Sequence, residues 1–281
     1  MIFDRNEKKQ VVALLGAGSM GTTIVRHIGA GKKILLGDIS EQALERVGED
    51  FRCSGYDVDT LVVNALQKES VEAFARRAAE LGSVMYFIDT AGASPNQAKP
   101  EHIVDLDMVG TGYAIDVFGE VMAKGGAGLI ISSQAAYMYP IPNDIELQLV
   151  RTPTEELKKV PFIQEVAMQN SGLAYMIAKR MNHLQVQRAA ATSWRNRRAR
   201  INTISPGIIV TPLAYDEFNA NGEGYQRMID ASAAQRIGTS DEIAEAAAFL
   251  LGEHAHFITG TDLLIDGGVI ASIRTGEYQL G

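Results

Sequence analysis

The chain has 281 residues, 46% of them hydrophobic and 21% charged, which is typical of one globular domain with a large core. Its net charge of −8 argues against nucleic acid as the main partner. No apolar run reaches the roughly 18 residues that cross a bilayer, and the charged N-terminal segment lacks the apolar core of a signal peptide. We therefore expect a cytoplasmic protein without a membrane anchor, and the single cysteine, Cys53, fits a reducing compartment.

Short β-branched runs alternate with longer amphipathic segments, a pattern that indicates a parallel sheet with crossover helices. The predicted strands are Val11–Leu15, Lys33–Gly37, Thr60–Asn64, Val84–Ile88, Gly128–Ser132, Arg200–Ile204 and Thr261–Ile265. The predicted helices lie near Met20–Ile28, Glu41–Asp50, Ser70–Leu81, Glu101–Ala123, Ala174–Arg195 and Asp241–Leu251. Ser40 and Ser240 are the predicted N-caps of the second and the last helix. We predict a single α/β domain over residues 1–281, a Rossmann-type, doubly wound parallel sheet of seven strands with helices on both faces.

Two stretches break this alternation. Residues 137–170 contain four prolines and are too long for a routine connection, so we predict an insertion that forms a lid or an oligomer contact. Within it, Thr152 and Pro153 favour the start of a short helix. Residues 213–234 form the second stretch, which we predict to be a substrate loop.

The first predicted strand leads directly into Gly16-Ala17-Gly18-Ser19-Met20-Gly21, a G-x-G-x-x-G pattern that opens a helix. Glycines here allow a tight turn and let the backbone approach a pyrophosphate at the helix N-terminus. An ordinary glycine-rich turn is the alternative, since 27 glycines make chance matches common. The position of the pattern between a strand and an amphipathic helix favours dinucleotide binding.

Asp38 ends the second predicted strand. A carboxylate at this position accepts hydrogen bonds from the adenosine ribose hydroxyls and repels a 2′-phosphate. No Arg or Lys directly follows it, and none lies in the glycine loop. The sequence therefore predicts NAD rather than NADP, the alternative being that Asp38 only contributes to helix capping together with Ser40.

A candidate catalytic pair lies on the fifth predicted helix. Tyr175 and Lys179 are four residues apart, hence one turn apart on the same face. A neighbouring ammonium lowers the pKa of a phenol and makes it a better acid–base group at neutral pH. The alternative is an ordinary exposed pair, but the context favours chemistry, because Ser133 follows the fifth strand and Thr211 follows the sixth, both at the ligand-binding edge of the sheet.

These motifs resemble the short-chain dehydrogenase/reductase family in its compact single-domain branch, from about Val11 to Gly268. The similarity depends on Ser133, on Tyr175-x-x-x-Lys179, and on the turn and the terminal motif that follow the last two strands. Those two motifs are Pro206-Gly207-x-Ile209-x-Thr211 and Asp266-Gly267-Gly268.

The resemblance implies a role for each matching residue. Ser133 would polarise the substrate oxygen, Tyr175 would transfer the proton, and Lys179 would tune Tyr175 and bind the nicotinamide ribose. Ile209 and Thr211 would fix the nicotinamide amide. The full set of expected cofactor-binding residues is Gly16, Gly18, Ser19, Met20, Gly21, Asp38, Asn64, Ala65, Thr90, Ala91, Gly92, Tyr175, Lys179, Pro206, Gly207, Ile209 and Thr211.

The chain departs from the family pattern at several positions. Met20 and Thr22 occupy the places of the later glycines, Thr90 replaces an Asn after the fourth strand, and Asn64 replaces an Asp after the third. Asp107 replaces the helix Asn that usually completes a proton relay, so we count Asp107 among the candidate catalytic residues. An ionised Asp accepts hydrogen bonds but does not donate them, which would alter the relay; the other interpretation is that Asp107 only bends its helix.

The resemblance implies an NAD-dependent oxidoreductase that interconverts a secondary alcohol and a ketone. A hydroxysteroid or other bulky alicyclic alcohol is the expected substrate, because a long insertion between Ser133 and Tyr175 also occurs in some hydroxysteroid dehydrogenases of the family. Its apolar residues suit a lid: Met138, Ile141, Ile145, Leu147, Leu149 and Val150. Two alternatives stay open, an NAD-binding epimerase or dehydratase and a non-catalytic NAD-binding redox sensor. By analogy we expect a homodimer or homotetramer that pairs through the last helix and strand.

A basic cluster lies beside Trp194, and it consists of Arg195, Arg197, Arg198 and Arg200. A polyanion-binding patch is one interpretation, but the C-terminal end of a helix, where cations suit the helix dipole, is favoured. The five histidines show no metal-ligand spacing, so we predict no metal site.

Overall fold

The computed structural model describes residues 8–96 and 98–279. In these residues it contains seven strands: β1 (Gln10–Leu15), β2 (Lys33–Asp38), β3 (Asp57–Val62), β4 (Ser83–Asp89), β5 (Ala127–Ile131), β6 (Arg200–Pro206) and β7 (Asp262–Ile265). They form one parallel sheet in the order β3-β2-β1-β4-β5-β6-β7, which confirms the predicted Rossmann-type fold. The order reverses between β1 and β4, and ligands bind in such sheets beyond the carboxyl ends at that point.

The α-helices of the described residues are α1 (Ser19–Ile28), α2 (Glu41–Cys53), α3 (Lys68–Leu81), α4 (Pro100–Ile103), α5 (Thr111–Val121), α6 (Asn143–Arg151), α7 (Pro161–Glu165), α8 (Ser171–Ala191), α9 (Ser193–Arg197), α10 (Pro212–Ala231), α11 (Ser240–Leu251) and α12 (Val269–Thr275). A π-helical segment, Val104–Gly110, joins α4 to α5. Four 3₁₀ turns cover Gln134–Tyr137, Thr154–Lys159, Ala167–Gln169 and Glu253–Ala255. Within the described ranges, no helix combines the length and the apolar character needed to cross a membrane.

The sheet carries a hydrophobic core on each face, and β1 shows how one strand serves both. Val11, Ala13 and Leu15 lie in the core formed with α3, α5 and α8, whereas Val12 and Leu14 lie in the core formed with α1, α2 and α11. Successive side chains of a strand point to opposite faces, so a strand covered on both sides reads as a continuous apolar run.

Several predicted element boundaries differ from the structure, and two of the differences are large. Strand β3 begins at Asp57 rather than Thr60, because aspartates that are typical of turns are tolerated on this edge strand, where Lys33 pairs with both Asp57 and Asp59 at 2.7 and 2.9 Å. The helix predicted over Glu101–Ala123 is interrupted by the π-helical segment. Such a segment changes the direction of side chains at functional sites.

The predicted N-caps were partly right. The Ser40 hydroxyl accepts a hydrogen bond from the Ala43 N–H, as predicted. The cap of α11 is Thr239 rather than Ser240, because only Thr239 has a glutamate three residues later: Thr239 and Glu242 form a reciprocal capping box. Thr152 ends α6 instead of starting a helix, and a 3₁₀ turn follows Pro153.

The two irregular stretches are largely helical. Residues 137–170 contain α6 and α7, and the buried side chains of Ile141, Leu149 and Ile163 form a third core with α8 and the π-helical segment. Residues 213–234 belong mostly to α10, where we predicted a loop. The signals for α10 are its first residues, with Thr211 as N-cap and Pro212 at the first helical position, while glycines at 222 and 224 weaken the helical pattern.

Two members of the basic cluster, Arg197 and Arg200, bind carbonyl groups at the C-terminal ends of other helices. The sequence instead predicts the cluster at the C-terminal end of the helix that contains it. The Arg200 guanidinium is buried and donates to the carbonyls of Leu250, Leu251 and Gly252 at the end of α11, and to that of Ile258. Arg197 donates to the Met122 carbonyl after α5. Cations at helix C-termini satisfy unpaired carbonyls and the helix dipole.

We predict that Arg200→Met lowers the free energy of unfolding by about 2–4 kcal/mol, because the stem stays apolar while four carbonyl groups lose a charged donor. Urea denaturation measures this change. Arg195→Met is the matched control, since Arg195 is exposed, and it should stay within about 0.5 kcal/mol of wild type. Equal effects of the two substitutions would contradict the structural role.

Candidate active site

A cavity of about 870 Å³ lies at the carboxyl end of the sheet. Residues from the ends of β1, β2, β4, β5 and β6 line it, together with residues of α8 and α10. Of the sequence-predicted site residues, the following line this cavity: Gly16, Gly18, Ser19, Met20, Gly21, Asp38, Asn64, Ala65, Thr90, Ala91, Gly92, Ser133, Tyr175, Lys179, Pro206, Gly207, Ile209 and Thr211. Asp107 is the exception and lies buried behind the wall.

The glycine loop is shaped by close backbone contacts. Gly16 has φ +89°, and a Cβ there would lie 2.6 Å from the Ala91 nitrogen. A Cβ on Gly21 would lie 2.6 Å from the Thr90 hydroxyl, whereas Gly18 has nothing within 4 Å. Gly16 and Gly21 therefore permit the tight turn, and Gly18 leaves open space at the N-terminus of α1.

Thr90 fixes the loop from the neighbouring strand. Its hydroxyl donates to the Gly16 carbonyl at 2.7 Å. The residue that replaces the family's usual Asn thus ties the end of β4 to the loop after β1. Asn64 also lines the cavity, and its Oδ1 accepts from the Leu66 N–H at 3.0 Å in a local turn.

The Asp38 carboxylate is held in place by two backbone groups. Its Oδ2 accepts from the Ala17 N–H at 2.8 Å, and its Oδ1 accepts from the Ser40 N–H at 2.9 Å. The contact with Ser40 is the local hydrogen bonding that we considered as an alternative, yet the residue also lines the cavity, so the two interpretations are compatible. Arg46 of α2 lines the same cavity and was missed, because it is eight positions away in sequence.

Ser133, Tyr175 and Lys179 come from two elements that are tied together. The Ser132 hydroxyl donates to the Lys179 carbonyl at 2.8 Å and so connects the end of β5 to α8. The Lys179 ammonium lies 5.4 Å from the centre of the Tyr175 ring and donates to the Ile131 carbonyl at 3.4 Å. The Ser133 oxygen accepts from the Ala135 N–H, which leaves its own hydrogen available for a ligand.

The turn after β6 places backbone and side chains along one wall. A Cβ on Gly207 would lie 2.6 Å from the Asp266 Cα, so this glycine is needed for close approach to the end of β7. The Thr211 hydroxyl accepts from the Ala214 N–H and caps α10, in addition to the cofactor contact that the family resemblance implies. The Asp266 carboxylate accepts from the Gly268 and Ile270 N–H groups and is structural.

Asp107 lies behind the cavity wall within reach of Lys179. Its Oδ1 accepts from the Ala93 N–H at 2.8 Å, and its Oδ2 is 3.9 Å from the Lys179 ammonium. The Asn182 side chain donates to the Asp107 carbonyl at 2.7 Å. Burial raises the pKa of Asp107, and Lys179 and the Ala93 N–H oppose that effect. Asp107 therefore does more than bend its helix, since its carboxyl group faces the ammonium.

Asp89 is a second buried carboxyl in this region, and it is not among the residues that the sequence predicts for the site. It ends β4, is 2% exposed, and its Oδ1 accepts from the Ala91 N–H at 3.0 Å. Burial, reinforced by the charge of Asp107, raises the pKa of Asp89 to about 7. The available signal was an acidic residue at the carboxyl end of an otherwise apolar strand.

Larger apolar side chains also line the cavity: Leu106, Met138, Met176, Phe218, Tyr225 and Met228. Met138 is the only one of the insertion residues proposed as a lid that lies on this wall, so the lid prediction was wrong for the others. Ile141 and Leu149 are buried in the third core, because α6 packs against α8, and Leu147 is 54% exposed. Helix α10 contributes Phe218, Tyr225 and Met228 to the apolar wall that the sequence predicts for the insertion.

Comparisons with known proteins agree with this architecture. Residues 161–270 match a family model described as enoyl-(acyl carrier protein) reductase. A short-chain dehydrogenase/reductase of Alternaria brassicicola is 38% identical over 266 residues, covering 94% of this chain and 96% of that protein. A 7α-hydroxysteroid dehydrogenase of Bacteroides fragilis is 25% identical, covering 95% and 96%. The solved structure of a Serratia marcescens short-chain dehydrogenase/reductase superimposes with a TM-score of 0.73 at 19% identity, covering 94% and 98%.

Proposed function

Because the chain belongs to the short-chain dehydrogenase/reductase family, we propose that Ser133, Tyr175 and Lys179 form the catalytic site of an NAD-dependent enzyme that interconverts a secondary alcohol and a ketone. As a family member, the chain is an oxidoreductase that acts on CH–OH groups with a nicotinamide cofactor. The observation that supports this assignment of residues is that all three line one cavity with the glycine loop.

The residues present fit a dinucleotide. Gly18 leaves open space at the N-terminus of α1, where backbone N–H groups and the helix dipole favour a pyrophosphate. Asp38 lines the cavity with a fixed carboxylate that suits ribose hydroxyls. When bound, the nicotinamide would supply or accept the hydride.

The protein's own groups manage the proton and the charge on the substrate oxygen. In the reducing direction Tyr175 gives its proton to the carbonyl oxygen while Ser133 donates a hydrogen bond to the same atom. The Lys179 ammonium, 5.4 Å from the Tyr175 ring, favours the phenolate that remains. In the oxidising direction the phenolate of Tyr175 removes the alcohol proton. Aimed donors beside a fixed cation stabilise the developing oxyanion.

The substrate is proposed to be a hydroxysteroid or another bulky alicyclic alcohol. The support is the apolar wall formed by Met138, Met176, Phe218, Tyr225 and Met228, and the similarity to a 7α-hydroxysteroid dehydrogenase. Such a wall removes apolar substrate surface from water, which is the main source of affinity for a rigid alicyclic ligand.

A panel of secondary alcohols and ketones that includes hydroxysteroids tests the proposed chemistry, with turnover followed by the absorbance of the reduced cofactor. We predict that Tyr175→Phe lowers turnover by about 10³-fold, because the acid–base group is lost, while cofactor binding, measured by fluorescence titration, persists. Tyr139→Phe is the matched control, since Tyr139 is outside the cavity lining. A Tyr175→Phe enzyme with a near-normal rate would contradict the assignment, and no turnover with any member of the panel would favour a redox sensor.

The cofactor preference forms a second test. We expect a higher kcat/KM with NAD than with NADP, because the Asp38 carboxylate repels a 2′-phosphate. Asp38→Asn removes the charge but keeps an acceptor, and should narrow the preference by about tenfold, which corresponds to roughly 1.4 kcal/mol. When Arg46→Ala is added to Asp38→Asn, kcat/KM with NADP should fall again, because Arg46 is a cation that lines the same cavity and favours a 2′-phosphate. A wild-type preference for NADP would refute the proposal.

A homodimer or homotetramer is proposed to form through α11 and β7. Phe249 on α11 is 47% exposed, Leu263 on the edge strand β7 is 37% exposed, and Phe257 between them is fully exposed. Exposed apolar residues around an unpaired strand edge favour association.

Sedimentation equilibrium measures this association. We expect two or four copies for wild type and smaller species for Phe249→Asp, because a charge is costly in a buried interface. Leu147→Asp serves as the control, since Leu147 is an apolar residue on α6 of comparable exposure, 54% against 47%. A monomeric wild type, or equal effects of both changes, would count against the proposal.

A further inference from the structure

We propose that Asp89 and Asp107 act as one buried carboxyl pair that holds a single proton beside Lys179 at neutral pH, and that this proton sets the charge felt by Tyr175. Asp89 is thereby a positioning residue, which acts on the reaction through Lys179. The proposal rests on the function proposed above for Tyr175 and Lys179.

Two buried acids act electrostatically on the same cation, and within the described residues each has one carboxyl oxygen without a hydrogen bond. Asp89 ends β4 and is 2% exposed, and Asp107 lies in the π-helical segment and is fully buried. Each uses Oδ1 to accept one backbone N–H, from Ala91 and Ala93 respectively. Among the described residues, neither Oδ2 has a hydrogen-bond partner, and that of Asp107 lies 3.9 Å from the Lys179 ammonium.

The titratable groups that act on this pair come from two further elements. Helix α8 contributes Lys179 and Tyr175, and α4 contributes His102. Lys179 is 5% exposed. Burial alone lowers the pKa of Lys179, but the negative groups around it outweigh burial and raise that pKa, so the ammonium stays protonated.

Two ionised carboxylates and one ammonium would leave an uncompensated negative charge in a buried site, which is strongly unfavourable. Retention of one proton removes that excess. Burial and the neighbouring carboxyl raise the pKa of Asp89 to about 7, and burial raises the pKa of Asp107 as well. Because the two groups interact, the proton belongs to the pair rather than to one residue.

The proton restores the ability to donate a hydrogen bond, which an ionised Asp107 lacks and an Asn at this position would have. An ionised Asp only accepts hydrogen bonds, whereas a protonated carboxyl both donates and accepts, as does the Asn usual at position 107 in the family. When the pair loses its proton, the cluster gains a negative charge. That charge weakens the effect of Lys179 on Tyr175 and disfavours the phenolate.

The first experiment uses the wild-type protein without substrate. Aspartate labelled with carbon-13 at the side-chain carboxyl is incorporated, and the carboxyl resonances are titrated by NMR. We expect one carboxyl to titrate near pH 7, with that step absent in Asp89→Asn and shifted to lower pH in Asp107→Asn. If every carboxyl of the wild type titrates below pH 5, or if Asp107→Asn leaves the high step unmoved, the proposal is overturned.

The second experiment measures the pH dependence of kcat/KM in the oxidising direction. Asp89→Asn keeps the Oδ1 acceptor and removes the negative charge that the pair gains when it loses its proton. The part of the pH profile in which kcat/KM rises, its rising limb, should therefore move to lower pH by roughly one unit. Asp107→Asn should move it in the same direction. Asp105→Asn, which removes a half-buried carboxylate of the same π-helical segment paired with Lys158, should leave that limb in place.

The two experiments separate the possible failures. A lower kcat with an unmoved limb in both Asn variants would indicate a merely structural role and overturn the proposal. If Tyr175→Phe keeps near-normal turnover while the NMR step near pH 7 is present and depends on Asp89, the carboxyl pair exists and only the proposed catalytic assignment fails. The wild-type titration decides the existence of the pair even if an Asn variant does not fold.

Discussion

The buried ammonium of Lys179 is the group around which the active-site region is arranged. A charge that is 5% exposed needs negative or carbonyl partners. Strand β5 supplies the Ile131 carbonyl, the π-helical segment supplies Asp107, and the charge of Asp89 at the end of β4 helps to raise the pKa of the ammonium. The space is so limited that a Cβ on Gly92 would lie 3.3 Å from this nitrogen and 3.0 Å from the Asp107 carboxyl. The packing of α8 against the sheet therefore determines both the position of the Lys179 ammonium and the space around it.

The parts of the fold and site that the sequence predicts well depend on short-range rules. Gly16, Gly18 and Gly21 open a helix directly after a strand, and their roles follow from spacing alone. Tyr175 and Lys179 share a helix face because they are four residues apart. The alternation of β1 between two cores likewise follows from the period of a strand. These rules predict the sheet, the glycine loop and the Tyr175–Lys179 pair.

The parts that could not be predicted depend on contacts between distant segments. In the sequence, Thr90 is recognisable only as a replacement of the family's usual Asn. The fold shows that its hydroxyl donates a hydrogen bond to the Gly16 carbonyl. The apolar insertion residues suit a lid, but Ile141 and Leu149 pack under α8 instead. Nothing near Asp89 in the sequence indicates that this residue is buried and that its charge acts on Lys179. Burial and partner identity decide each of these cases, and neither is a local property.

Asp89 is physically connected to the two departures from the family pattern at positions 90 and 107. The Thr90 hydroxyl holds the glycine loop. The Asp107 carboxyl lies 3.9 Å from the Lys179 ammonium, and Asp89, the neighbour of Thr90, is a second buried acid whose charge helps to raise the pKa of Lys179. Amides at positions 89 and 107 would leave the Lys179 ammonium without a full counter-charge. Two ionised carboxylates would carry more negative charge than the ammonium neutralises. A pair with one proton balances the ammonium, so the charge at the centre of the site depends on pH in a range where an amide would be inert.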